Sequence, residues 1–190
     1  LAVKAFAHTR DYDTAIHAFL SQDIVPSLTT ITLPPHLSLG MQKIETLRYG
    51  ENPHQAAAYY SRITKNGPLG GTVLGGKQLS YNNILDLDAA WRAVSSFSEP
   101  TVVVVKHLTP TGIASAHTIA EAYPLALKSD EVSAFGGVIA VNRPITEEFV
   151  DSLEALFIEA IAAPSFSTNA QEKLSEGRKN CRLVQIPQPF

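Results

Sequence analysis

Lys106 and His107 are the adjacent side chains of this sequence best suited to acid–base chemistry. They directly follow the run 101–105, whose five strand formers without polar alternation predict a strand buried on both faces, as in a parallel sheet. Ligands of open α/β sheets bind beyond the carboxyl ends of strands, and Pro110 and Gly112 are expected to turn the chain there. Histidine exchanges protons near neutral pH, which suits a general base. The alternative is a strand that simply ends in solvent.

A second polar cluster lies in residues 47–55, which include Arg48, Tyr49 and His54. Asn-Pro favours a turn and Gly50 permits unusual dihedral angles, so we expect a loop that precedes a strand. This density of hydrogen-bonding side chains is typical of a binding loop. A polar surface turn is the alternative.

Two glycine-containing stretches are further candidates. Residues 71–77 satisfy the pattern G-x-x-x-x-G-K of a phosphate loop, but Gln78 stands where a Ser or Thr is needed and no helix is expected to follow. We therefore expect a flexible loop there. Residues 133–137 place paired glycines before a predicted strand, where the backbone can approach a planar ligand and Phe135 can stack on it. The alternative is a glycine turn with a core phenylalanine.

Strand and helix patterns alternate along the chain, which predicts an α/β fold with a largely parallel sheet. Residues 1–20 have mostly helical spacing and predict one helix or two short ones, whereas residues 24–40 are rich in Pro, Ser and Thr and resemble a linker. The expected strands are 101–105, 138–141, 157–163 and 182–186, and the expected helices begin at Asn82 or Asn83, Ile113, Thr146 and Thr168.

Composition excludes several classes of function. With 15 Lys and Arg against 18 Asp and Glu, the chain has no global basic field for nucleic acid. No apolar run approaches the length of a membrane span, so we expect neither membrane binding nor a location outside the cytoplasm. The single cysteine, Cys181, excludes an internal disulfide, a multi-thiolate zinc site and the zinc-deaminase signature. The histidines lack metal-ligand spacing, and no metal site is expected.

Four ordered motifs together resemble the bifunctional family that joins an AICAR transformylase to an IMP cyclohydrolase in purine biosynthesis. They are residues 47–55, 76–83, 106–112 and 133–137. The resemblance implies formyl transfer from 10-formyltetrahydrofolate to the amino group of AICAR ribotide, with no metal at the reacting centre. It also implies a homodimer with sites at the interface.

The same resemblance implies a cytidine-deaminase-like three-layer α/β sandwich, the first half of a duplicated transformylase domain. On this basis residues 1–23 are the last helix of a cyclohydrolase domain, 24–43 a linker, and 44–190 the first transformylase subdomain. We expect a fragment that is inactive alone, since the family's second transformylase half supplies part of the site. A nucleotide-binding or assembly module without catalysis is the alternative function.

By resemblance, His107 takes the proton of the substrate amine, and Lys106 stabilises the developing charge or assists the departing folate nitrogen. The remaining residues implied by resemblance bind substrate: Arg48 and Tyr49 hold the ribotide phosphate, the backbone of Phe135 and Gly136 lies against the base, and Glu159 contacts the ribose hydroxyls. Thr109 and Thr111 stand where bacterial relatives often have Asn and Cys, but the catalytic pair is unchanged.

Overall fold

The computed structural model describes residues 1–22, 39–61 and 67–187, so most of the expected linker lies outside the described residues. The chain divides into two compact units, one comprising residues 1–43 with 60–64 and the other residues 44–59 with 65–190. The first unit contains one long helix, and the second contains the main sheet with its flanking helices.

The helices are α1 (Ala2–Gln22), α2 (Tyr81–Val94), α3 (Ile119–Leu127), α4 (Glu131–Ala134), α5 (Glu147–Ser152) and α6 (Thr168–Gly177), with a 3₁₀ helix at Pro68–Gly70. The strands are β1 (Gln42–Thr46), β2 (Ala58–Ser61), β3 (Thr72–Gly75), β4 (Thr101–Lys106), β5 (Thr109–Ser115), β6 (Gly137–Val141), β7 (Ile158–Ala163) and β8 (Arg182–Gln185). None of the helices within the described ranges combines the length and apolarity that a membrane span requires.

The main sheet has six strands in the order β3-β8-β7-β6-β4-β5, and β1 and β2 form a separate two-stranded sheet. Strands β6, β7 and β8 are parallel, whereas β4 is antiparallel to both of its neighbours and β3 is antiparallel to β8. The α/β class is confirmed. The expected largely parallel sheet is wrong, because the sheet is mixed.

Helices on both faces of the sheet account for the apolar run in β4. Val102 and Val104 pack with residues of α3, α5 and α6, whereas Val103 and Val105 pack with residues of α2, including Trp91. Alternate residues of a strand point to opposite faces, so a strand between two helix layers has no polar side. This burial is independent of strand direction, which is why the pattern could not distinguish a parallel from an antiparallel neighbour.

Strand β5 replaces the start of a helix that was expected from residue 113. Residues 109–115 pair with β4, and α3 begins only at Ile119. Pro110 does not turn the chain; it lies on β5, an edge strand of the main sheet, which is the kind of strand that accommodates proline. A Cβ on Gly112 would lie 1.9 Å from the carbonyl oxygen of Ala126, so this glycine lets α3 pack directly on the strand.

Local capping decides where the helices begin. Ser80, not Asn82 or Asn83, is the N-cap of α2: its hydroxyl accepts from the Asn83 N–H at 3.2 Å, and its own N–H donates to the Asn83 side chain at 3.1 Å. Thr146 caps α5 as expected, and this helix ends at Ser152. Ser167 caps α6, one residue before the expected position.

The stretch 71–77 is not the flexible loop that its glycines predict. It contains β3, paired with β8. A Cβ on Gly76, whose φ is +96°, would lie 2.1 Å from the carbonyl oxygen of Cys181, and one on Gly71 would lie 2.3 Å from that of Gln185. The two glycines therefore permit close backbone packing against β8, which accounts for the pattern without a phosphate ligand.

Candidate functional site

All six strands of the main sheet have a terminus at the same edge, and β5 begins there at Thr109, opposite Lys106. Strand β4 ends there at Lys106, while its antiparallel neighbour β6 begins there, with Val138 opposite Val105. Strands β7 and β8 run parallel to β6 and also begin at this edge, and β3, antiparallel to β8, ends at it. Ligand binding beyond the carboxyl ends of strands is therefore possible at this edge for β4 and β3 only, since β5 to β8 contribute their amino ends.

Lys106 and Phe135, taken from two separate sequence motifs, meet at this edge. The Nζ of Lys106 donates a hydrogen bond of 2.7 Å to the carbonyl oxygen of Phe135. Gly136, with φ of +72°, donates its N–H to the carbonyl oxygen of Phe157 at 2.8 Å and so fixes the backbone just before β6. The Phe135 ring lies 5.5 Å from the Phe157 ring and is 58% exposed, so it remains available for stacking.

His107 occupies the turn of the β4–β5 hairpin. Lys106 pairs with Thr109, so His107 and Leu108 alone connect the strands. Their φ angles are +52° and +65°, as a type I′ turn requires. Such turns favour Asn and Gly, and a leucine with positive φ is a strained conformation. The Leu108 N–H donates to Oδ1 of Asp86 on α2 at 2.8 Å, so a carboxylate holds the turn.

Arg48 and Tyr49 lie on the loop after β1, and each contacts the other. The Arg48 guanidinium donates to the Tyr49 hydroxyl at 2.7 Å and lies 4.6 Å from the centre of its ring. The backbone is fixed too: the Arg48 N–H donates to the Leu79 carbonyl at 3.0 Å, and the Tyr81 N–H donates to the Tyr49 carbonyl at 3.1 Å. The exposed guanidinium is therefore held at the beginning of α2.

One face of α2 connects this loop to the hairpin turn. Asn82 donates to the carbonyl of Glu51 at 3.2 Å, and Asp86 accepts from Leu108. The two side chains are four residues apart and so lie on the same side of the helix. Asp86 was missed as a functional candidate in the sequence; the signal that could have found it is the spacing of four between two polar residues on a helix with a buried apolar face.

Glu159, the second residue of β7, forms an ion pair with Arg182, the first residue of β8. Arg182 is 2% exposed and also donates to the carbonyl oxygens of Lys77 and Gln78, each at 3.2 Å. Sequence reasoning missed Arg182 because an arginine that begins a strand reads as a surface charge. Within the described part of the chain, Glu159 forms no direct hydrogen bond with the other candidate residues.

Asp130, the N-cap of α4, is a carboxylate that interacts electrostatically with Lys106. Hydrogen bonds from Ser133 lower the pKa of Asp130, and the positive charge of Lys106 lowers it further. Asp130 is therefore a carboxylate anion at neutral pH. Over the ranges 1–22, 39–61 and 67–187, no group of three or more His, Cys, Asp or Glu side chains is arranged to hold a metal ion.

The whole chain, residues 1–190, matches the family model described as the AICARFT/IMPCHase bienzyme. It is 46% identical to the "Bifunctional purine biosynthesis protein PurH" of Desulfitobacterium hafniense, over 99% of this chain and 37% of that protein. It is 44% identical to the protein of the same name from Acetivibrio thermocellus, over 98% of this chain and 36% of that protein. The chain thus spans little more than a third of the length of these relatives.

Among solved structures, form 1 of Acinetobacter baumannii RibD is 12% identical, with a TM-score of 0.41, over 52% of this chain and 35% of that one. This likeness is too weak to support an argument about the fold. The family match, in contrast, extends over every residue and includes all four motifs. The chain belongs to the AICARFT/IMPCHase bienzyme family.

Proposed function

We propose that this chain forms part of the site that transfers a formyl group from 10-formyltetrahydrofolate to AICAR ribotide, in a bienzyme that also closes the product to IMP. The observation that carries the proposal is the 2.7 Å hydrogen bond from Lys106 to the Phe135 carbonyl. It unites two motifs, far apart in sequence, at the edge of the sheet where His107 is exposed. Family membership and the PurH names of the relatives support the same activity.

The reaction needs a base because the 5-amino group of AICAR is a poor nucleophile, its lone pair being delocalised into the ring. The amine nitrogen forms a bond to the formyl carbon, the bond from that carbon to N10 of the folate breaks, and the amine loses a proton. His107 accepts this proton. Lys106 has three N–H donors, of which Phe135 takes one, so the others can stabilise negative charge or protonate the departing folate nitrogen.

Arg48 and Tyr49 suit the ribotide phosphate. The guanidinium presents several donors in a plane, and its contact with Tyr49 uses one while leaving the exposed side open. Because the backbone of this loop is hydrogen-bonded to Leu79 and Tyr81, little ordering is needed when phosphate binds.

Glu159 and the segment Phe135–Gly136 suit the ribose and the base. The Glu159 side chain is 30% exposed beside the almost inaccessible Arg182, so its carboxylate can accept from ribose hydroxyls while the ion pair remains. The Gly136 backbone has no side chain to block a planar ring, and the exposed Phe135 ring lies next to it.

The cytidine-deaminase-like sandwich, the domain division at residues 1–23, 24–43 and 44–190, and the cytoplasmic location stay predictions. So does the homodimer. The helices on both faces of the mixed sheet are consistent with a three-layer sandwich.

Exposed apolar side chains near the candidate site, Leu108 at 54% and Val132 at 87%, are consistent with burial by a second protomer. Sedimentation of a longer protein that contains this chain measures its molecular mass in solution and so tests whether it forms a homodimer.

The proposed chemistry is tested by His107→Ala in a protein in which this chain has formyl-transfer activity, alone or within a longer protein. Loss of the base is expected to lower kcat by roughly 10²–10⁴-fold, with the KM for AICAR ribotide nearly unchanged. His117→Ala, at an exposed histidine outside the site, is the matched control and should retain the wild-type rate.

A His107→Ala rate within a few-fold of wild type would show that His107 is not the base. Calorimetry with AICAR ribotide distinguishes the alternative function, a nucleotide-binding or assembly module without catalysis, from the proposed enzyme. Micromolar binding that depends on Arg48, without any formyl transfer in the longer protein, would favour a binding or assembly module.

A further inference from the structure

We propose that Asp86 is a positioning residue, which acts by holding the His107–Leu108 turn in its strained conformation. The inference rests on the proposed function, since it assigns the geometry of the proposed base to a carboxylate outside the reacting centre. The observation is the 2.8 Å hydrogen bond from the Leu108 N–H to Oδ1 of Asp86.

The turn needs such support because neither of its two residues is a glycine, an asparagine or an aspartate. Both His107 and Leu108 have positive φ, a conformation that L side chains rarely adopt and that Asn-Gly or Asp-Gly pairs usually supply in two-residue hairpins. Residues in sparsely populated backbone regions persist only when surrounding structure over-determines them. Thr109 contributes little here, since its hydroxyl lies 3.5 Å from the His107 carbonyl. The Asp86 carboxylate is the strong contact, because charge-assisted hydrogen bonds are about twice as strong as neutral ones.

The support comes from a rigid element. Asp86 lies on α2, whose Leu87, Ala90 and Val94 are fully buried against the sheet. The buried face anchors α2 on the sheet, so the Asp86 carboxylate is presented to the turn from a well-packed helix. Asn82, one turn earlier, holds the loop that carries Arg48, so the same helix sets the spacing between the proposed phosphate site and the proposed base.

The first test measures the turn without any enzyme assay. Hydrogen exchange of the Leu108 amide is expected to be about tenfold or more faster in Asp86→Ala than in wild type, since a hydrogen bond to a charged acceptor is lost. Asp86→Asn keeps an acceptor oxygen at the same place and should restore most of the protection. Asp88→Ala is the matched control on the same helix, because it breaks only the exposed pair with Arg92 and should leave Leu108 unchanged.

The second test measures the rate of formyl transfer to AICAR ribotide by an active protein that contains this chain. Asp86→Ala should lower kcat by roughly 10- to 100-fold while the KM for AICAR ribotide changes little, because a displaced base affects the reaction step. Asp86→Asn should recover most of the rate. Leu108→Gly added to Asp86→Ala should also recover rate, since glycine adopts positive φ without strain. A merely structural role for Asp86 predicts no rescue by Leu108→Gly.

The two tests can fail separately. Unchanged Leu108 exchange in Asp86→Ala would overturn the positioning role, whatever the chain catalyses. An equal loss of kcat in Asp86→Ala and in Asp86→Ala with Leu108→Gly would also overturn it. If His107→Ala retained full activity while the exchange result held, the proposed base would be wrong and Asp86 would remain the residue that holds the turn. A circular-dichroism melt of each variant verifies that it folds.

Discussion

The guanidinium of Arg182 forms an ion pair with the carboxylate of Glu159 across the neighbouring strands β8 and β7. Arg182 is almost inaccessible to solvent, and its other N–H groups donate to the carbonyl oxygens of Lys77, Gln78 and Glu159. One buried cation thereby ties the end of β3 to the beginnings of β7 and β8.

Arg182→Leu is expected to lower the free energy of unfolding by about 3 kcal/mol, because the buried guanidinium loses its ion pair and its hydrogen bonds to three carbonyl oxygens together. Urea unfolding followed by tryptophan fluorescence measures the change. Arg92→Leu is the control: Arg92 forms an exposed i,i+4 pair with Asp88, and its loss should cost less than about 0.5 kcal/mol. Similar midpoints for the two variants would contradict the structural role of Arg182.

Gly76 and Gly75 are adjacent, but alanine should destabilise the fold far more at Gly76 than at Gly75. A Cβ on Gly76 meets the Cys181 backbone at 2.1 Å and the residue has φ of +96°, whereas a Cβ on Gly75 meets nothing within 4 Å. Gly76→Ala is therefore expected to destabilise the fold by at least about 2 kcal/mol, and Gly75→Ala by less than about 0.5 kcal/mol. Thermal melts of both variants measure this difference.

The same stretch allows a test of the phosphate-loop alternative. Lys77→Met should leave any ATP binding measured by calorimetry unchanged, because the glycines around Lys77 serve strand packing and not a phosphate. An ATP interaction in wild type that disappears in Lys77→Met would restore the phosphate-loop interpretation.

Tyr123 and Cys181 should make the fold sensitive to alkali. Burial raises the pKa of each to about 12, above the ordinary values near 10 for the phenol and 9 for the thiol. At a pH between the ordinary pKa and the raised pKa of each group, the unfolded chain binds fewer protons than the folded chain. The stability present below pH 9 is therefore lost as the pH rises through this range. The expected slope is about 1.4 kcal/mol per pH unit for each group once its unfolded form is ionised.

Two substitutions separate these contributions. Cys181→Ala should remove the part of the slope that begins near pH 9, and Tyr123→Phe the part that begins near pH 10. In the described structure the Tyr123 hydroxyl is buried without a hydrogen-bond partner, so Tyr123→Phe should also stabilise the fold at neutral pH by about 1 kcal/mol. Tyr60→Phe, at an exposed tyrosine, is the control and should leave the slope unchanged.

Local signals in the sequence predicted most element types correctly. The valine run of β4, the strands that begin near residues 138, 158 and 182, and the N-cap of α5 at Thr146 all depend on side-chain burial or on capping hydrogen bonds, which short stretches encode. The prediction of a helix from residue 113 was wrong because the composition of residues 113–118 resembles that of α3. Residues 113–115 form a strand only because they pair with β4.

The four motifs also determined the family, since residue types in fixed order are a property of the chain alone. What the tertiary structure decided was strand direction and the contacts between motifs. Burial between two helix layers is the same for parallel and antiparallel neighbours, so no pattern within β4 could specify the mixed sheet. Likewise, the meeting of Lys106 with Phe135 and of Asp86 with Leu108 depends on how distant elements pack. Such contacts are set by the whole fold, because the free energy that holds the strained turn comes from a helix anchored elsewhere in the core.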